Sequence, residues 1–347
     1  MHEAQPDRPT PSRKAEHLRI NIEEDVGAKG IDPGFDAYAF RHHALPEIDL
    51  HDIDCTRSFL GRKLEAPLLI SCMTGGTSEA TRINRILARI AARFGLAMGL
   101  GSGRALLESP ETLESFDVRD DAPEILLLAN LGAVQLNKGS DAAACVRLVE
   151  MLRADALVLH LNPLQEALQP EGDTDFRGVI GRIADVCANV SFPIVVKEVG
   201  WGIGPADVRA LFDAGVACVD VAGAGGTSWS EVERYRIGQP WRARVAAAFA
   251  DWGIPTTKAL VEARSAVPAG LLIASGGLRS GIDAAKAIAL GADLAGFAGP
   301  FLRAAARGEE AAEALALEYL EELRIAMFCT GSRTLDALRH AALTKVD

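Results

Sequence analysis

The chain has 347 residues, 49% of them hydrophobic and 24% charged, with 33 glycines and a formal net charge of −11. That length accommodates one α/β barrel or two smaller domains, and the composition is that of a core-forming, turn-rich protein. The acidic balance argues against nucleic-acid binding, and the longest apolar runs fall far short of the roughly 18 residues that a membrane-spanning helix needs. An anionic small molecule is not excluded, because phosphate sites are local and often built from backbone N–H groups. The six cysteines (55, 72, 145, 187, 218 and 329) show no CxxC and no metal-ligand spacing. They read as small buried hydrophobes of a protein in the reducing cytoplasm.

Residues 1–12, rich in proline and charge, are expected to form a disordered tail, and 13–347 a single domain with 13–66 as its N-terminal arm and cover. Arg13 and Lys14 open that arm. Its polarity predicts a segment that does not pack by itself, and residues 31–63 read as an irregular cover over one end of the fold. From Pro67 short apolar runs alternate with amphipathic segments. Candidate strands are 67–72, 96–101, 125–131, 156–161, 193–199, 217–222, 271–275 and 293–298. Candidate helices are 79–94, 141–153, 177–189, 205–214, 231–251, 282–290 and 301–326, with a short interval at 110–116. Eight strands interleaved with helices predict one (β/α)8 TIM barrel. A doubly wound sheet is the alternative, but polar, glycine-rich tips follow nearly every strand, as a ring of rim loops requires.

The tips carry the chemistry. MTGG (73–76) lets backbone approach a flat or anionic ligand, GSGR brings Ser102 and Arg104 to a strand end, and Asn130 closes an apolar strand. The stretch 155–176 runs from an apolar strand into His160, Asn162, Gln165, Glu166, Gln169 and Glu171. Taken alone, His160 reads as a packed strand-end histidine and Glu166 as a solvated loop carboxylate. Lys197 needs an anionic or electron-rich partner. Glu198 is one choice, but adjacent strand residues point to opposite faces, which favours a cofactor. Thr227, Ser228 and Trp229 follow in the next tip. Gly276-Gly277 and Gly299-Pro300, at two neighbouring strand ends beside a helix start, form the phosphate site usual in barrels.

The segments RKAEHL, MTGG, GSGR, ANLGA, HLNPLQE, QPEGD, VKEVG, AGAGGTSW, DWGIPT, SGGLRSG and CTGSRTLDAL run in order from residue 13 to about 338. In this the chain resembles the type 2, FMN-dependent isopentenyl-diphosphate delta-isomerases. The resemblance implies an FMN-binding barrel that converts isopentenyl diphosphate to dimethylallyl diphosphate. It also implies reduced FMN, Mg2+, NADPH or NADH as the electron source, and a homo-oligomer (tetramer or octamer). Met73, Thr74, Gly75, Ser102, Asn130, Lys197 and Thr227 would line the flavin, with Gly276, Gly277, Arg279, Ala298 and Gly299 on its phosphate side. Arg13, Lys14, Ser102, Arg104, His160 and Gln165 would bind substrate, and Glu166 would hold the metal. His160, Gln165 and Trp229 would stand with the flavin at the reacting carbons. Two departures from the family pattern are Gly103, where a bulkier residue is usual, and Thr174, where arginine is usual. The first is expected to loosen the loop that holds Arg104.

Two other readings remain. The α-hydroxyacid oxidases share the ending Gly276, Gly277, Arg279, Gly281, Asp283, Lys286, Ala287. They need His and Arg in the tip that here reads AGAGGTSW, so hydride abstraction would lack its base. A catalytically inactive FMN-binding barrel is the second.

Overall fold

Period-two alternation sorts the strand side chains onto two faces, and that sorting builds the molecule. The computed structural model describes residues 10–346. Eight parallel strands close into a ring in chain order: β1 Leu68–Ile70, β2 Ala97–Gly99, β3 Leu127–Gly132, β4 Ala156–Leu161, β5 Ile194–Glu198, β6 Cys218–Asp220, β7 Leu271–Ser275 and β8 Leu294–Phe297. The ring closes by pairing Ala295 of β8 with Leu68 of β1. Outward residues such as Ile70, Met98, Leu157, Val196 and Phe297 pack under the helices. Inward residues, among them Leu69, Leu128, Val158, Val195 and Ile273, fill the barrel. Each expected strand lies where the sequence places it. Among the described residues no helix is long and apolar enough to cross a membrane.

The cover is more ordered than expected and serves both ends of the barrel. An antiparallel hairpin, Arg57–Phe59 with Arg62–Leu64, lies within it. Its buried Phe59 and Leu64 join the interior cluster and plug the N-terminal end. Residues 27–33 reach the opposite rim, where the Ala28 N–H donates to Gly226 O and Pro33 O accepts from Thr257 N–H. Two arginine–aspartate clamps pin the hairpin. Arg119 donates to the carbonyls of Ala122, Pro123 and Ile125, to Arg153 O and to Asp155, which also receives Arg62. Arg264 donates to the carbonyls of Val267, Pro268 and Gly270, to Gly291 O and to Asp293, which also receives Arg57.

Three helical expectations change. The segment 231–251 is two helices, Trp229–Arg236 and Pro240–Ala247, because proline starts a helix well and cannot continue one. The segment 301–326 divides at Gly308, whose φ of 136° no helix accepts, into Gly299–Arg307 and Glu309–Cys329. Thr256–Ala266 is a helix that the sequence reading left unassigned.

The N-terminal arm is not loose. A helix spans Thr10–Glu23, so positions 10–12 of the expected tail are helical, while residues 1–9 lie outside the described residues. Leu18 and Ile20 are buried, and Ile20 packs with Val26, Val232 and Trp229. These anchors dock a stretch otherwise too polar to pack.

Candidate active site

The inward file of each strand changes character near its C-terminal end. Two residues beyond apolar Leu128, Val158, Val195, Cys218 and Ile273 stand Asn130, His160, Lys197, Asp220 and Ser275. Asn130, His160, Lys197 and Ser275 of this layer floor a cavity of about 320 Å3 at the C-terminal rim, with Asp220 buried beneath. Every residue expected at the site lines it, from the N-terminal helix to the tip of β8.

On the floor, His160 Nδ1 lies 2.7 Å from Asn130 Oδ1. Burial, and then the nearby cations Lys197 and Lys14, push its imidazole down to about 4, so the ring is neutral near pH 7. With Nδ1–H donated to the amide oxygen, the other ring nitrogen accepts rather than donates. Lys197 Nζ donates to Glu198 O at 2.9 Å and stands 3.6 Å from Asp220 Oδ2. The Glu198 carboxylate turns back to accept the N–H groups of Val199, Gly200 and Trp201, which settles the choice of lysine partner against it. Asp220 is buried and also accepts from Ser275 Oγ at 2.8 Å. The sequence reading passed over Asp220, although it holds the same inward register on β6 as Lys197 holds on β5.

The tips of β7 and β8 form one corner of the cavity. Gly276 and Gly277 have φ of 102° and 80°. A Cβ on Gly276 would fall 2.1 Å from Gly223 O, and one on Gly277 would fall 2.7 Å from Gly225 O, so only glycine fits. Thr256 Oγ1 donates to Gly276 O and fixes that peptide plane. Gly277 N–H has no acceptor among the described residues. Ala298 precedes the helix Gly299–Arg307, where the N–H groups of Gly299 and Phe301 have no acceptor among the described residues, and Arg279 lines the same corner. Orphan donors, glycine backbone and a cation together fit a phosphate. Across the cavity Met73, Thr74 and Gly75 supply a backbone wall, with Gly75 held as glycine by the Phe116 ring, 2.0 Å from its would-be Cβ. Thr227 lines the wall between the two.

The N-terminal helix supplies the mouth. Lys14 Nζ donates to Ser102 O at 2.8 Å and lies 4.9 Å from the centre of the Phe116 ring. Arg13 donates to Gln169 Oε1 at 3.3 Å. His17 meets the Trp229 ring edge-on at 5.2 Å. Arg104 lines the mouth while paired with Glu108 at 2.7 Å and Asp173 at 3.2 Å. Gly103 does not loosen this loop: its N–H donates to Asn130 O, and a Cβ there would fall 2.5 Å from buried Leu148. Thr174 is exposed outside the cavity wall. Gln165 gives its Nε2 to Glu233 and takes Asn162 Nδ2 on its oxygen. Glu166 accepts from Asn162 Nδ2 at 2.9 Å and from Asp173 N–H at 2.7 Å. Among the described residues no group of three or more His, Cys, Asp or Glu could hold a metal. A cation beside Glu166 would thus draw most of its ligands from a bound phosphate and water, as Mg2+ commonly does.

Residues 164–345 match the family model of the FMN-dependent dehydrogenases. An isopentenyl-diphosphate delta-isomerase of Synechococcus sp. is 55% identical over 96% of this chain and 96% of its own. One from Nostoc sp. is 51% identical over 96% and 95%. The chain belongs to the isopentenyl-diphosphate delta-isomerase family. A Pediococcus acidilactici (putative) lactate oxidase overlays 99% of this chain and 97% of its own with a TM-score of 0.71 at 16% identity, a likeness of fold alone. The cofactor of this isomerase family member is FMN, which its glycine-lined phosphate corner fits.

Proposed function

We propose that the protein converts isopentenyl diphosphate to dimethylallyl diphosphate, using reduced FMN and Mg2+, with NADPH or NADH as the electron source. The observation that carries this reading is that one cavity joins two separate anion-binding corners: the glycine nest at the β7 and β8 tips, and the cationic mouth of Arg13 and Lys14. The first suits the phosphate of FMN and the second a diphosphate. In the reaction one C–H bond forms at the terminal alkene carbon and another breaks two carbons away, with no net redox change. Reduced FMN, when bound, supplies an electron-rich ring with exchangeable protons beside the alkene. Lys197, paired with Asp220, would hold the polar edge of the ring, and Asn130 would be oriented for it by His160. Arg13 and Lys14 would clamp the diphosphate, with Glu166 holding Mg2+ against its oxygens. Trp229 would wall the apolar part and help exclude water.

A hydroxyacid oxidase reading finds no support in the tip after β6, where Ala222 to Trp229 contain neither His nor Arg. The test is anaerobic incubation with isopentenyl diphosphate, FMN, Mg2+ and dithionite, followed by product analysis. Dimethylallyl diphosphate is the expected product. Its absence, with oxygen consumed instead on a hydroxy acid, would replace the isomerase by an oxidase.

A further inference from the structure

Glu233, on the helix Trp229–Arg236, lies behind the cavity wall with its side chain fully buried. One carboxylate oxygen accepts from His17 Nε2 at 3.0 Å, Gln165 Nε2 at 3.3 Å and Gln169 Nε2 at 2.8 Å. The other accepts from Arg236 Nε at 2.7 Å. Burial alone would raise this carboxyl, but His17 and Arg236 hold it down at about 2, so it is ionised throughout the neutral range.

An ionised carboxylate can only accept, so every amide that faces it must present its NH2. That choice propagates. Gln169 is left with its oxygen towards Arg13. Gln165 is left with its oxygen towards Asn162 Nδ2, 3.1 Å away. Asn162 Nδ2 is also taken by Glu166 Oε1. The Asn162 amide is thereby fixed from two sides. Its Oδ1 remains buried in the cavity wall with no partner among the described residues. A buried acceptor left unpaired is costly unless a ligand satisfies it.

We propose that Glu233 is a positioning residue for the isomerisation: through Gln165 it locks the Asn162 amide, so that Asn162 Oδ1 is presented to the bound substrate assembly as a fixed hydrogen-bond acceptor. This assignment rests on the isomerase reading of the cavity. Glu233 itself does not line the cavity. A neutral amide at 233 both donates and accepts, and would let Gln165 turn its NH2 towards Asn162 Nδ2, setting donor against donor and leaving the Asn162 amide held by Glu166 alone.

The experiment is a double-mutant cycle on the FMN-loaded enzyme, with kcat, KM and the FMN Kd measured for wild type, Glu233→Gln, Asn162→Ala and the double variant. In wild type, E233Q lowers kcat by about tenfold or more while FMN affinity stays within about twofold, because the cofactor corner lies on other tips. In the N162A background the same E233Q change costs about threefold or less, because the relay no longer ends on anything. Multiplicative losses in the double variant would overturn the proposal, as would an unchanged kcat in E233Q. So would a fall in FMN affinity parallel to kcat, which marks a merely structural role. If E233Q does not fold, Gln165→Met cuts the relay one link later and is carried through the same cycle with the same two outcomes. A wild-type enzyme with no turnover of isopentenyl diphosphate refutes the parent reading instead.

Discussion

Lys14 crosses the cavity mouth to place its Nζ 2.8 Å from the main-chain oxygen of Ser102, and among the described residues no carboxylate pairs with it. Burial, then Arg13 beside it, push this amine down to about 7, with Arg104 adding to the effect and Glu108 opposing it. Only the protonated form attracts a diphosphate. Bound anion raises the amine's proton affinity, so binding takes up a proton above neutrality. KM for isopentenyl diphosphate should therefore rise by up to about tenfold per pH unit as pH climbs past 7. Lys14→Arg stays charged and should flatten that limb of the profile. Coincident KM profiles for the two proteins would remove Lys14 from diphosphate capture.

Glu166 is the carboxylate proposed for Mg2+, and its oxygens already bind Asn162 and the Asp173 N–H. Glu166→Gln keeps the volume and removes the charge. Turnover should fall by about a hundredfold or more and lose its response to added Mg2+, while FMN binding stays unchanged. Titration of activity against Mg2+ reads this directly, and a full metal response in the variant would move the ion elsewhere.

Acid should release the N-terminal helix. Glu233 holds His17, and its carboxyl sits at about 2 in the fold against an ordinary value of 4.5. The folded state then binds fewer protons than the unfolded one between those values. The stabilisation is complete above about pH 4.5 and is lost as pH falls towards 2. Hydrogen-exchange protection factors for residues 13–23 should drop over that window before those of the barrel strands. A common loss with the strands would show that the helix has no acid-labile latch of its own.

Gly103→Ala should destabilise the protein rather than tighten the Arg104 loop. The new methyl would meet Leu148, which is fully buried and cannot swing into solvent. The cost should be about 1–3 kcal/mol, as for other overpacked cores, measured by urea unfolding. A gain in stability would show that the loop has room that the packing does not reveal.

The barrel was legible because parallel strands buried on both faces write themselves as apolar runs, and Leu127–Leu131 or Ala156–Leu159 need no partner to be recognised. The glycine corner was legible because only glycine can stand at Gly276 and Gly277. The docked arm was not. Its anchors are two apolar side chains, Leu18 and Ile20, and its polar contacts to Gln169 and Glu233 are 156 and 216 residues away in sequence. The helix Thr256–Ala266 was hidden because its buried face is mostly threonine and alanine, with Leu260 alone to mark a stripe. Asp220 was in principle readable: counting two residues on from Cys218 along the inward file finds it.

The paired clamps at the closed end of the barrel repeat one another contact for contact. Arg119 and Arg264 reach carbonyls three, four and six residues ahead, each then meeting an aspartate that opens the following strand. The units β3–β4 and β7–β8 are thus the same device, half a turn apart in the ring. Counting from the clamps, Asn130 and Gly132 correspond to Ser275 and Gly277, and His160 to Ala298. One copy ends in glycine backbone, and the other in the polar side chains Asn130 and His160, both lining the same cavity. One scaffold device, used twice across the ring, thus carries two differently furnished tips on opposite sides of one cavity.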